Sequence, residues 1–70
     1  MGIEPLIRMA NQIASNYAHH PPEQAAAEVA THLRSFWAPP MRADLAQYVS
    51  SDGAGVDPVV VMALEMLGRP

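Results

Sequence analysis

The chain has 70 residues, half of them apolar and only 16% charged, with a formal net charge of −3 and no cysteine. Globular domains average ~25% charged residues, so this surface is thinly charged. The missing thiols exclude disulfide staples, thiolate zinc sites and cysteine-held iron–sulfur clusters from the chain itself. All four cations are arginines, Arg8, Arg34, Arg42 and Arg69; they make no basic stripe of the kind that neutralises phosphates, so nucleic acid is not the expected partner.

A chain this short has room for one domain, residues 1–70, and a single core below ~70 to 80 residues rarely supplies more than ~3 to 5 kcal/mol. With disulfides and thiolate metals excluded, a partner surface is the remaining support. No run reaches the ~18 to 20 apolar residues of a membrane span. The N-terminus lacks the basic and apolar regions of a signal peptide, so the expected location is cytoplasmic, with no membrane contact.

Ile3, Leu6, Ile7, Ala10, Ile13, Ala14 and Tyr17 follow the three-four spacing of an amphipathic helix, which predicts a helix over about 3–18. Glu4, Arg8, Asn11, Gln12 and Ser15 fall on the other side. There Arg8, Asn11 and Gln12, beside Met9, form either a plainly solvated face or a hydrogen-bonding patch for a protein surface.

His19-His20-Pro21-Pro22 ends that helix, because a residue before proline is pushed out of the α region while prolines fit a first helical turn. The second helix is predicted over 22–37. Its apolar face runs from Ala25, Ala26, Val29, Ala30 and Leu33 to Phe36 and Trp37, a taper in which the two aromatics fill the wide end. His32 sits at the edge of that face as a boundary residue or an interface contact. In the segment Phe36 to Arg42, Trp37, Met41 and Arg42 are of types enriched at interfaces. An aromatic pair closing an apolar face is equally a core plug.

Pro39-Pro40 breaks the chain again before a third helix, predicted over 40–50, whose stripe is Met41, Leu45, Tyr48 and Val49. The stretch Ser50-Ser51-Asp52-Gly53-Ala54-Gly55 reads as a flexible connector. Its likeness to a phosphate-binding glycine loop is superficial, since it lacks the preceding strand and the lysine.

Asp57-Pro58 signals the last helix, with Asp57 as N-cap, Pro58 in the first helical position and Gly68 as the stop. Over 58–67 this helix is apolar on every side, with Glu65 its one polar side chain. Either it is a central helix wrapped by the other three, or a small bundle covers only half of it. The second arrangement is expected, leaving Val59, Met62 and Met66 to a partner. The predicted architecture is all-α: a small bundle of three to four short helices with Pro-marked turns.

No constellation for catalysis emerges. His19 and His20, being adjacent, point in different directions, and neither they nor His32 stand at a spacing that completes three metal ligands. Serines 15, 35, 50 and 51 have no strand-turn-helix elbow or flanking base. The expectation is a non-catalytic chain without cofactor-binding or metal residues, whose candidate functional side chains are those named above for contact with a protein.

Three segments carry a family resemblance: Arg8-Met9-Ala10-Asn11-Gln12-Ile13-Ala14; His32-Leu33-Arg34-Ser35-Phe36-Trp37 with Pro39, Met41 and Arg42; and Val56-Asp57-Pro58-Val59 with Ala63-Leu64. In this order, from about Leu6 to Leu67, the chain resembles the delta subunit of soluble NAD-dependent formate dehydrogenases. The resemblance implies an accessory subunit of a cytoplasmic molybdenum- or tungsten-dependent complex that oxidises formate to carbon dioxide. It implies that the alpha subunit carries the bis-pterin metal cofactor and iron–sulfur clusters, that beta and gamma carry FMN and further clusters, and that delta carries none. The family's aromatic-proline motif often has charged residues where this chain has Ala38 and Pro40, so no salt bridge is expected from those positions.

Three functions follow as expectations. The first is a structural subunit that docks on the alpha subunit and stabilises it; the second, an assembly factor that holds the immature alpha subunit for metal-cofactor insertion; the third, a free-standing helical adaptor.

Overall fold

The computed structural model describes residues 2–68. Their order is α1 (Glu4–Ser15), α2 (Pro22–Phe36), α3 (Pro39–Ser51) and α4 (Pro58–Gly68), with no strand among the described residues. Each helix has proline in its first turn, where the missing N–H would have no intrahelical partner and the fixed φ suits the helix. For α1, α2 and α3 no side chain caps the N-terminus, so proline acts there without a capping side chain. At α4 the expected N-cap is formed: Asp57 Oδ1 accepts the Val59 N–H at 2.8 Å.

The α1 helix stops about three residues short of the predicted end. Beyond Ser15 the N–H groups of Asn16 and Tyr17 bond carbonyls three residues back, at 3.1 and 3.0 Å, and the Ser15 hydroxyl donates to the Gln12 carbonyl at 2.7 Å. The chain tightens into turns before Pro21 and Pro22 enforce a new direction.

The core is built from one stripe per helix: Leu6, Ala10 and Ala14 of α1; Val29, Ala30 and Leu33 of α2; Leu45 of α3; and Val60, Ala63 and Leu64 of α4. Trp37, just past α2, joins them. Small residues dominate where α2 and α4 meet, the most extensive helix pair. Ala26, Ala30 and Ala63 are buried, and their short side chains let the two backbones approach closely. The Cα radius of gyration is 10.8 Å, against about 11 Å for a packed chain of this length.

Two expectations are corrected here. The last helix is covered on more sides than expected: Val60, Ala63 and Leu64 are buried, and its other valine, methionine and leucine side chains are partly buried. It packs mainly against α2 and less extensively against α1 and α3, and among the described residues the large apolar side chains that stand exposed are Met9 and Phe36, neither of them on α4. Eleven residues make a rod of only about 16 Å, short enough for three neighbours to cover most of its circumference. Val61, Met62 and Glu65 fall on its outer side, with Val61 and Met62 still partly buried. The second correction concerns the aromatic pair. Trp37 stands one turn after buried Leu33, its N–H still bonded to the Leu33 carbonyl at 3.0 Å, so its ring continues the inward row of α2, whereas Phe36 stands one turn after His32 and points out, 75% exposed. The chain turns extended only at Trp37 (φ −93°, ψ 138°). Only Trp37 fills the core.

Candidate functional site

The α1 and α2 helices leave an open groove between them, about 460 Å³ in volume, lined by Arg8, Met9, Gln12 and Ile13 from α1 and by His32 and Trp37. Helical spacing explains the α1 wall. Residues 8, 9, 12 and 13 project from two successive turns of one face, just outside the buried stripe of Leu6, Ala10 and Ala14. On the opposite wall His32 stands one turn before Phe36, and their rings lie 4.7 Å apart, tilted by 43°. The imidazole thus holds the exposed phenyl ring against the groove's edge, in a tilted aromatic pair. Trp37, 7% exposed, closes the floor from the core side.

The groove is apolar at its base and positive at its rim. Met9, Ile13 and Trp37 supply the base; Arg8, Gln12 and His32 supply polar groups, and no carboxylate lines it. Met9 is 42% exposed, so part of this base opens to solvent.

Of the side chains singled out from the sequence, this groove brings together Arg8, Met9, Gln12, His32 and Trp37, with Phe36 beside it. It does not include Asn11 or Arg42, and both are engaged within the chain. The Asn11 amide donates from Nδ2 to the Gly55 carbonyl at 2.8 Å and accepts the Asp57 N–H on Oδ1 at 2.9 Å. One Arg42 nitrogen donates to the carbonyls of Leu33 (3.1 Å), Arg34 (3.3 Å) and Trp37 (2.8 Å). These carbonyls lie at and just past the C-terminal end of α2, the negative end of the helix dipole; that of Leu33 also accepts the Trp37 N–H at 3.0 Å, while those of Arg34 and Trp37 lie where the helix runs out of donors. Arg42 is therefore the C-terminal cap of α2, and Asn11 is a clamp on the loop before α4. Both side chains thus serve the fold of this chain, whatever else they contact.

Met41 lies elsewhere, in a recess between the start of α1 and α3 that also involves Ile3, Leu6, Asp44 and Tyr48. Val59 and Met66 are partly buried against the core, and Met62 is on the outer side of α4.

The loop 52–57 also departs from expectation, since it is pinned rather than free. Besides the Asn11 clamp, the Tyr48 hydroxyl donates to the Ala54 carbonyl at 2.7 Å. Gly53 and Gly55 take φ values of 77° and 81°, which glycine adopts without the Cβ clash other residues meet. Sequence reading missed Tyr48 as a loop anchor and Ile13 as groove lining. The second was available as the residue one turn after Met9, but nothing local announced the first.

Among the described residues, no three His, Cys, Asp or Glu side chains are grouped so as to hold a metal ion, and none of the helices is long and apolar enough to cross a membrane.

Fold and groove together define a class: a small all-helical chain with an open groove between two helices, apolar at its base and carrying Arg8 and His32 at its rim. Residues 5–64 match the family model for the NADH-dependant formate dehydrogenase delta subunit, FdsD, and the chain belongs to that family. Comparison with curated proteins gives no match. Comparison with solved structures gives none either.

Proposed function

We propose that this chain is a non-catalytic accessory subunit of a formate dehydrogenase complex, docking on the large catalytic alpha subunit and stabilising it. The observation that carries the proposal is the convergence of Arg8, Met9, Gln12, His32 and Trp37 on one groove beside an exposed Phe36, in a chain of the delta-subunit family. In the same proposal formate oxidation takes place in the cytoplasm, on a complex whose alpha subunit holds the bis-pterin molybdenum or tungsten and iron–sulfur clusters. Beta and gamma hold FMN and further clusters.

Burial of α4 changes the balance between a permanent subunit and an assembly factor. A half-open α4 would have demanded constant cover. With α4 wrapped, the free chain exposes chiefly Met9 and Phe36, a patch tolerable in water. The groove then supplies one polar and apolar anchor point of an interface that extends beyond it. Purification of the assembled, active enzyme and measurement of its subunit stoichiometry tests the proposal. One delta per alpha supports a structural subunit. Its loss from mature enzyme, with delta retained only on alpha lacking metal cofactor, replaces that reading with the assembly role.

A further inference from the structure

Resting on the accessory-subunit reading above, we propose that the α1/α2 groove receives one acidic-apolar segment of the partner subunit: a single large apolar side chain seated on Met9, Ile13 and Trp37, with a neighbouring carboxylate bound by Arg8 and His32.

Size comes first. The α1 wall extends only from Arg8 to Ile13, little more than one turn, or about 7 Å of helix rise. A full amphipathic helix would need a longer trough with anchors at several turns. One turn accommodates one buried side chain and its immediate neighbours.

Charge fixes the neighbours. The chain as a whole is negative, at −3, yet the ionisable side chains lining this groove are Arg8 and His32, with no carboxylate. Glu4 and Glu28 stand one turn earlier on the two helices, and neither is a lining residue. An arginine offers only donors, in a planar fork matched to a carboxylate. At the edge of an apolar base such a pair is less screened than on open surface. A basic segment would meet like charge, and a wholly apolar one would desolvate the guanidinium without return.

Phe36 sets the direction. Tilted against His32 with ring centroids 4.7 Å apart and 75% exposed, it stands beside the His32 wall of the groove, and the partner segment leaves on that side, over this ring.

The test uses the complex of the full chain with the catalytic subunit. A benzophenone amino acid is placed at Gln12, at Phe36, and at Glu65 on the outer side of α4, and crosslinked peptides are identified by mass spectrometry. Charge reversals Arg8→Glu and Arg34→Glu are compared by titration; they change net charge equally, but Arg34 does not line the groove. Crosslinks from positions 12 and 36 to a segment with an Asp or Glu beside a large apolar residue support the proposal. So does a Kd raised about tenfold or more by Arg8→Glu while Arg34→Glu changes it less than about threefold. Crosslinks only from position 65, crosslinks to a basic segment or to a second copy of this chain, or equal effects of the two reversals each overturn it while leaving the accessory role intact. Failure of the unmodified chain to form a complex overturns both.

Discussion

Asn11 and Asp57 are joined across 46 positions of sequence: the Asn11 carboxamide oxygen accepts the Asp57 N–H at 2.9 Å, and its nitrogen holds the Gly55 carbonyl. One side chain of α1 thereby fixes the loop that launches α4, and Asp57, so placed, caps that helix through Val59. Asn11→Ala removes both bonds and leaves a partly buried N–H without its acceptor, a loss of ~1 to 3 kcal/mol. Asn11→Asp keeps the acceptor but sets a carboxylate oxygen against the Gly55 carbonyl, and destabilises as well. Urea denaturation gives the size of each loss, and amide exchange gives its place: residues 55–61 lose protection first. An unchanged midpoint for Asn11→Ala would remove the clamp from the account.

Gly53 and Gly55 make a graded pair. Both have positive φ, which costs a non-glycine residue ~1 to 2 kcal/mol. At Gly53 a Cβ would also come within 3.3 Å of the Val49 carbonyl oxygen, a backbone atom that cannot swing aside, while at Gly55 nothing lies within 4 Å. Gly53→Ala therefore destabilises more than Gly55→Ala in thermal or urea unfolding. The reverse order would mean that the α3 terminus yields more readily than its bonds imply.

Arg42 ties the end of α2 to the start of α3 through three carbonyls. Arg42→Met preserves the aliphatic stem and removes the donors, with an expected loss of ~1 to 2 kcal/mol. Arg42→Lys, a point charge without the planar fork, recovers part of it. Equal stability of all three proteins, measured by urea titration, would show that water serves those carbonyls as well as the guanidinium does.

The helices were legible because their boundaries are chemical: Pro21-Pro22, Pro39-Pro40 and Asp57-Pro58 stop and start helices by local geometry. The α1 stripe was legible for the same reason, since Leu6, Ala10 and Ala14 are one periodic set. What escaped depends on distant parts of the chain. Nothing near Asn11 announces a bond to Asp57. Which of Phe36 and Trp37 joins the core depends on which row of α2 faces the other helices, that of Leu33 or that of His32, and the two bulky aromatics at the helix end leave both rows open. The apolar circumference of α4 suits both a half-covered and a wrapped helix, and the choice is made by how closely the alanines of α2 approach. The groove was half legible. Its two walls carried recognisable residues, Arg8, Met9 and Gln12 on one and His32 on the other, but their meeting is a product of tertiary packing.

Trp37 and Phe36, adjacent in sequence, separate folding from docking. Trp37 is 7% exposed and belongs to the core cluster, so Trp37→Ala leaves a cavity costing ~3 to 5 kcal/mol, comparable to the whole stability of a domain this small. Circular dichroism should show helicity lost at room temperature, and Trp37→Phe should restore most of it. Phe36, 75% exposed, has little packing to lose, and Phe36→Ala should shift unfolding by no more than ~0.5 kcal/mol. In the proposed complex its removal, as the loss of an aromatic anchor, is expected to weaken association by about tenfold or more. Co-purification of Phe36→Ala with the catalytic subunit at wild-type yield and affinity would sink the docking role of that ring, and retained helicity in Trp37→Ala would sink its place in the core.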